Sequence, residues 1–223
     1  MAANGTNTVE DKVRDHFHDD AERFDAIYGE KKGAVHRFID NYWRGVVQKR
    51  LEINVQKLQP FRGKKILDVG CGSGRFCIAF ALNGAKKVIG VDFARAMIEI
   101  AEKLATEAGV EKKCEFVIGG FPEAISESEG PFDACTANGF FDYVEEPVPI
   151  ITRMRELTRG RLIMSFPKAV EWRVPIRRLR FWLKGTPLFL YTEDQVRDIL
   201  ASSGVRNYKF IFLDRDYLVV ADV

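Results

Sequence analysis

The stretch Ile66-Leu67-Asp68-Val69-Gly70-Cys71-Gly72-Ser73-Gly74 constrains the fold of this chain more than any other. A short apolar run of strand character ends in glycines at three alternate positions, and a helical pattern starts directly after them. Glycine at such a junction lets the backbone turn sharply, lets a ligand come against the main chain and lets the following helix pack close to the sheet. The first amides of that helix lack intrahelical partners and face the turn. A strand feeding a helix in this way belongs to a parallel sheet, so the rest of the chain must supply further strands and crossover helices.

The apolar spacing agrees. Strands are expected at about 65–69, 87–91, 114–118, 132–137 and 160–166, and helices at about 74–83, 95–108, 148–157 and 192–203. Thr192 followed by Gln195 reads as a capping box for the last helix. Residues 207–213 and 217–223 read as a hairpin, which would close a mostly parallel sheet with an antiparallel strand. Two helices come first. One spans Val9 to Tyr28, and the other keeps a near-3.6 period from Val35 to Leu58 until Pro60 stops it. The expected organisation is a helical N-terminal cap over 1–60 and an α/β domain over 61–223, with an insertion at about 168–190.

The 223 residues suit one such domain with a small appendage. Lysine and arginine total 34 against 32 acidic residues, and a net charge of +2 gives no electrostatic case for a nucleic-acid binder. No run of about 18 apolar residues suggests a membrane span, and the polar segment Met1 to Thr8 lacks a signal-peptide core, so a cytoplasmic protein is expected. The four cysteines, Cys71, Cys77, Cys114 and Cys135, include no Cys-x-x-Cys pair, and there are only three histidines. Neither a metal site nor a disulfide framework is expected.

A second strand, Val88-Ile89-Gly90-Val91-Asp92, ends in an acid 22 positions after Gly70, where nucleoside-binding folds place the carboxylate that accepts ribose hydroxyls. The third glycine comes one residue earlier than in dinucleotide-binding loops. Asp68, two residues before the first glycine, suits a cationic ligand and would repel a pyrophosphate.

These segments resemble class I S-adenosylmethionine-dependent methyltransferases over roughly residues 61–223. The resemblance implies a Rossmann-like, doubly wound seven-stranded sheet whose last strand is antiparallel, with S-adenosylmethionine as cofactor. It places Asp68 near the cofactor's amino acid portion, the backbone of Gly70, Cys71 and Gly72 beneath it, Asp92 on the ribose, and Phe93 and Met97 beside the adenine. Gly119-Gly120-Phe121 stands where the family has a polar side chain, so backbone groups around Gly120 would meet the adenine and Phe121 could stack. Asn138, after the fourth strand, would lie near the sulfonium. The Pro-Pro that follows Asp or Asn in enzymes acting on nucleic-acid amino groups is replaced by Gly139-Phe140, and no Pro-Cys nucleophile is present. Both departures count against a nucleobase acceptor, and a small-molecule acceptor is expected.

Methyl transfer needs an in-line approach, and positioning can supply up to roughly 7–11 kcal/mol of the acceleration. A base is optional, depending on the acceptor. The candidates are His16 and His18 in the first helix and Asp142 and Tyr143 after the fourth strand; His36 opens the second helix. Between Trp172 and Gly185 stand five basic residues and no acid. Arg173, Arg177, Arg178 and Trp182 would there bind an anionic or aromatic substrate, or form a solvated basic helix. The run Ala21 to Glu30, which contains Tyr28 as a further substrate candidate, is similar to the start of magnesium-protoporphyrin O-methyltransferases. That similarity implies a carboxylate acceptor as one alternative. A nicotinamide-dependent reductase and a non-catalytic nucleoside-binding module are the others.

Overall fold

The computed structural model describes residues 34–169 and 187–223, with side chains from residue 45 onward. The expected first helix and most of the basic insertion lie outside these residues. So do His16, His18, Tyr28, Arg173, Arg177, Arg178 and Trp182, while His36 falls within a helix whose side chains there are not described.

The element order is α1 (Ala34–Leu58), β1 (Lys65–Val69), α2 (Arg75–Leu82), β2 (Lys87–Asp92), α3 (Arg95–Glu107), β3 (Cys114–Ile118), β4 (Phe132–Ala137), α4 (Pro147–Glu156), β5 (Thr158–Pro167), α5 (Glu193–Ser202), β6 (Tyr208–Phe212) and β7 (Asp216–Asp222). Seven strands form one sheet in the order β3-β2-β1-β4-β5-β7-β6. β7 runs antiparallel to both of its neighbours and the other pairings are parallel. From β1 the chain builds outward to β2 and β3, then returns to place β4 on β1's other side. The direction of winding therefore reverses between β1 and β4, and in open α/β sheets a crevice opens there beyond the carboxyl ends of the strands.

Alternation along the strands divides the core in two. Leu67, Val69, Ile89, Val91, Cys135, Met164 and Phe166 meet α4 and α5 through Ile151, Met154, Val196 and Leu200. Ile66, Val88, Ala134, Ile163 and Leu218 meet α1, α2 and α3 through Leu58, Phe80 and Ile98. The capping box of α5 is present: the Gln195 amide donates to Thr192 Oγ1 at 3.3 Å and the Thr192 amide to Gln195 Oε1 at 2.8 Å. α4 opens with Pro147, where the missing N–H costs nothing.

At β5 and β7 the departure from the apolar pattern has a cause in strand pairing. β5 begins at Thr158, because Thr158 pairs with Phe132 across a register shift that Gly160 accommodates against the Asp133 carbonyl. β7 begins at Asp216, whose partner on β5 is Pro167.

α1 lies across the sheet antiparallel to β5. The carbonyl of Lys57 accepts from Arg161 near the start of β5. Seven residues earlier, about 10 Å along a helix, Arg50 reaches Asp216 at the opposite edge. That edge carries the crevice.

Candidate active site

The loop after β1 is tied to the end of β2, since Gly70 and Cys71 both donate to the Val91 carbonyl, at 2.9 and 3.1 Å. Gly70, Gly72 and Gly74 all adopt positive φ, at 67°, 51° and 72°. Their surroundings separate their tasks. A Cβ on Gly70 would stand 2.5 Å from Phe140 Cδ2, and one on Gly74 would stand 2.8 Å from the Ala101 methyl and 2.9 Å from the Phe116 ring. Among the described residues, nothing lies within 4 Å of a Cβ on Gly72. The outer two glycines are packing positions, and the middle one is left open by the described residues.

Asp92 closes the loop from the other side. Its Oδ2 accepts from the Gly72 amide and its Oδ1 from the Ala94 amide, both at 2.9 Å. Burial raises the carboxyl's pKa in spite of these two bonds. An ionised carboxylate has about four acceptor positions, so each oxygen retains capacity for a further donor. Phe93, Ala94, Met97 and Ile100 form a small apolar cluster beside it, separate from the two main cores. Next to this, the Gly119 amide donates to the Asp92 carbonyl at 3.0 Å. Among the described residues, a Cβ on Gly120 would meet only Glu123 Oε2, at 3.8 Å. Phe121 is buried in the core cluster that includes Val69 and Val91.

Asp68 sits below the loop. Only 2% of it is exposed, and its carboxyl accepts from Thr136 Oγ1 at 2.5 Å and from Cys77 Sγ at 3.6 Å. Burial, opposed by these two bonds, pushes its pKa up to about 7. The Cys71 thiol also turns inward, toward Gly90, where a Cβ would come within 2.8 Å of it and 2.9 Å of the Cys77 sulfur. All four cysteines are free.

Beyond β4 the chain passes through Asn138, Gly139 and Phe140. The Asn138 side chain exchanges amide hydrogen bonds with Asn54 of α1, at 3.0 and 3.3 Å. The Gly139 amide donates to Ser165 Oγ at 2.7 Å. Asp142 is buried, and its carbonyl accepts from the Phe189 amide at 2.9 Å. Tyr143 is half-buried, and its amide donates to the Phe140 carbonyl at 3.2 Å. The Tyr191 hydroxyl donates to the Val144 carbonyl at 3.0 Å, and burial with the nearby Asp142 charge raises its pKa.

The described candidates thus gather around the β1–β4 switch, with the glycine loop, Asp92, Phe93, Met97 and Gly120 on one side and Asn138 on the other. Sequence reasoning missed Arg50, Asn54, Ser165 and Asp216. Asn54 left a signal, being a polar residue inside the apolar stripe of Leu51, Val55 and Leu58. Asp216 was hidden in an acidic turn. A separate groove of about 560 Å³ between α1, α2 and α3 is lined by Val47, Leu51, Ile78 and Leu82. None of the described sequence candidates line it.

Residues 60–184 match a family model described as a methyltransferase domain. A ubiquinone biosynthesis O-methyltransferase of Xylella fastidiosa is 31% identical over 113 residues, 50% of this chain and 45% of that protein. One of Maricaulis maris is 38% identical over 163 residues, 66% of this chain and 61% of that one. These matches span about half to three-fifths of the relatives' length. Among solved structures, magnesium protoporphyrin IX methyltransferase of Synechocystis PCC 6803 with bound S-adenosylhomocysteine superposes with a TM-score of 0.74 at 22% identity, covering 94% of this chain and 97% of that one.

Proposed function

The chain belongs to the methyltransferase-domain family, and from that premise we propose that it transfers the methyl group of S-adenosylmethionine to an oxygen atom of a small-molecule acceptor. The observation that carries the reading is the pairing of Asp92 with the open Gly72 at the switch point. A half-buried carboxylate with spare acceptor capacity stands beside a backbone that no described residue covers.

These residues fit the cofactor. Asp92 would accept the ribose hydroxyls, Phe93 and Met97 would flank the adenine, and the Gly120 backbone would meet its edge. Gly70, Cys71 and Gly72 would underlie the amino acid portion. Asp68 lies beneath them, and Asn138 would face the sulfonium end. When bound, the sulfonium supplies an already activated methyl group. The protein's part is then mainly to hold the acceptor in line with it and to exclude water.

The acceptor class follows from the relatives whose names specify O-methylation in ubiquinone biosynthesis. For a phenolic oxygen a base is useful; Asp142, Tyr143, His16 and His18 are the groups proposed for it. Arg173, Arg177, Arg178, Trp182 and Tyr28 are proposed to bind an anionic or aromatic acceptor, under a cap formed by residues 1–60. Neither a nucleic-acid partner nor a metal is part of the reading. Among the described residues no helix is long and apolar enough to cross a membrane, and we propose a cytoplasmic location. The nicotinamide-reductase alternative is not favoured by the family match.

Calorimetric titration with S-adenosylmethionine tests the reading. The wild type is expected to bind. Asp92→Ala, with an unchanged circular dichroism spectrum, should bind about 10- to 100-fold more weakly, since hydrogen bonds to a charged group are worth about 1.5–3 kcal/mol. A folded variant with wild-type affinity would overturn it.

A further inference from the structure

We propose that Asn54, on the N-terminal helix, is a positioning residue for methyl transfer. It fixes Asn138 at the sulfonium end of the site through their reciprocal amide pair. The inference rests on the reading above, which places the β4 exit at that end.

Asn54 has no exposed surface. It occupies a stripe of α1 where an aliphatic side chain would pack against the sheet at no desolvation cost, whereas a buried amide is tolerated only when its polar atoms are satisfied. Its Nδ2 donates to the Arg50 carbonyl at 2.8 Å, which any helix of this register could offer, and to Asn138 Oδ1 at 3.0 Å. Its Oδ1 accepts from Asn138 Nδ2 at 3.3 Å. Two of the three bonds therefore depend on one loop residue 84 positions away. Either amide withdrawn alone takes from the other's carbonyl oxygen the donor it now has, so the two side chains hold each other in one orientation.

The neighbouring contacts extend this grip. Arg50, one turn before Asn54, places its Nη1 3.1 Å from where a Cβ on Gly139 would stand. Its Nε and Nη2 bond Asp216 Oδ2 at 2.9 and 2.6 Å, which ties the same turn of α1 to β7. On the far side of Gly139, Phe140 packs directly on Gly70 of the glycine loop. Contact therefore runs from α1 through Asn138, Gly139 and Phe140 to the loop beneath the cofactor. Asn54 touches neither cofactor nor acceptor and acts through Asn138.

The test uses two nucleosides and needs no acceptor. S-adenosylmethionine carries the amino acid and sulfonium, whereas 5′-methylthioadenosine carries only the nucleoside and a thioether. In Asn54→Ala, affinity for methylthioadenosine should stay within about twofold of wild type. Affinity for S-adenosylmethionine should fall about tenfold, the effect of roughly one lost hydrogen bond. Asn138→Ala should show the same selective loss, and the double variant should lose no more than Asn138→Ala alone. Asn54→Ser, whose hydroxyl can still bond the Arg50 carbonyl one turn back, should behave like Asn54→Ala and gives the same readout if the alanine variant does not fold. Equal weakening of both nucleosides, or wild-type affinity for both in folded variants, would overturn the positioning role alone. A wild type that binds neither nucleoside would overturn the cofactor reading and this inference with it.

Discussion

Asp68 and Asp92 stand at the ends of adjacent strands, yet their surroundings give them opposite duties. Asp92 keeps two backbone donors and an open side, while Asp68 is sealed beneath the loop with a hydroxyl and a thiol. The sign of the stability linkage at Asp68 follows from its displacement. With a folded pKa of about 7 against an ordinary 3.8, the folded protein keeps a proton between those values that the unfolded chain has shed. Stability should then fall as pH climbs through that window and level off above it. Asp68→Asn removes the titration, so the variant's stability relative to wild type should increase by about 2–3 kcal/mol between pH 5 and pH 8. Urea melts at the two pH values measure it, and a difference that does not change with pH would contradict the assignment. Both acids could be picked from the sequence by their spacing from the glycines. Their environments could not, because the Asp68 partner Thr136 lies 68 residues away.

At the scale of elements, local pattern and distant pairing divided the work. β1, β3 and β4 have the limits expected from their apolar runs, since glycine or proline stands near their ends. α1 ends at Leu58 as Pro60 requires. The start of β5 at Thr158 is set by pairing to β4, which no apolar pattern records. The attachment of α1 to the crevice edge was equally illegible, for it depends on Arg50 and Asp216, 166 residues apart. That pair is 11% and 1% exposed. Removing one partner of a buried pair strands the other charge, so Arg50→Met should cost about 3–5 kcal/mol in equilibrium unfolding. Arg50→Met combined with Asp216→Leu should regain most of that loss. A double variant no more stable than Arg50→Met would show that the ion pair is not the fastening.

Across the whole molecule, one crevice collects residues from α1, the β1 and β4 exits and the β2 end, so ligand and fold should be thermodynamically linked. At a hundredfold excess over its dissociation constant, S-adenosylmethionine should stabilise the protein by about 2.7 kcal/mol, a rise of roughly 5–10 °C in the melting temperature of a chain this size. Asp92→Ala should show a much smaller rise at the same concentration, which differential scanning fluorimetry would read directly. The sheet itself carries a different consequence. β7 occupies the slot between β5 and β6, so the order of synthesis and the order in space are exchanged for these two strands. As the chain leaves the ribosome, β6 emerges with no strand to join, and it can enter the sheet only after residues 216–222 have followed it out. A truncation just before Asp216 would therefore forfeit two strands of the sheet for the loss of one.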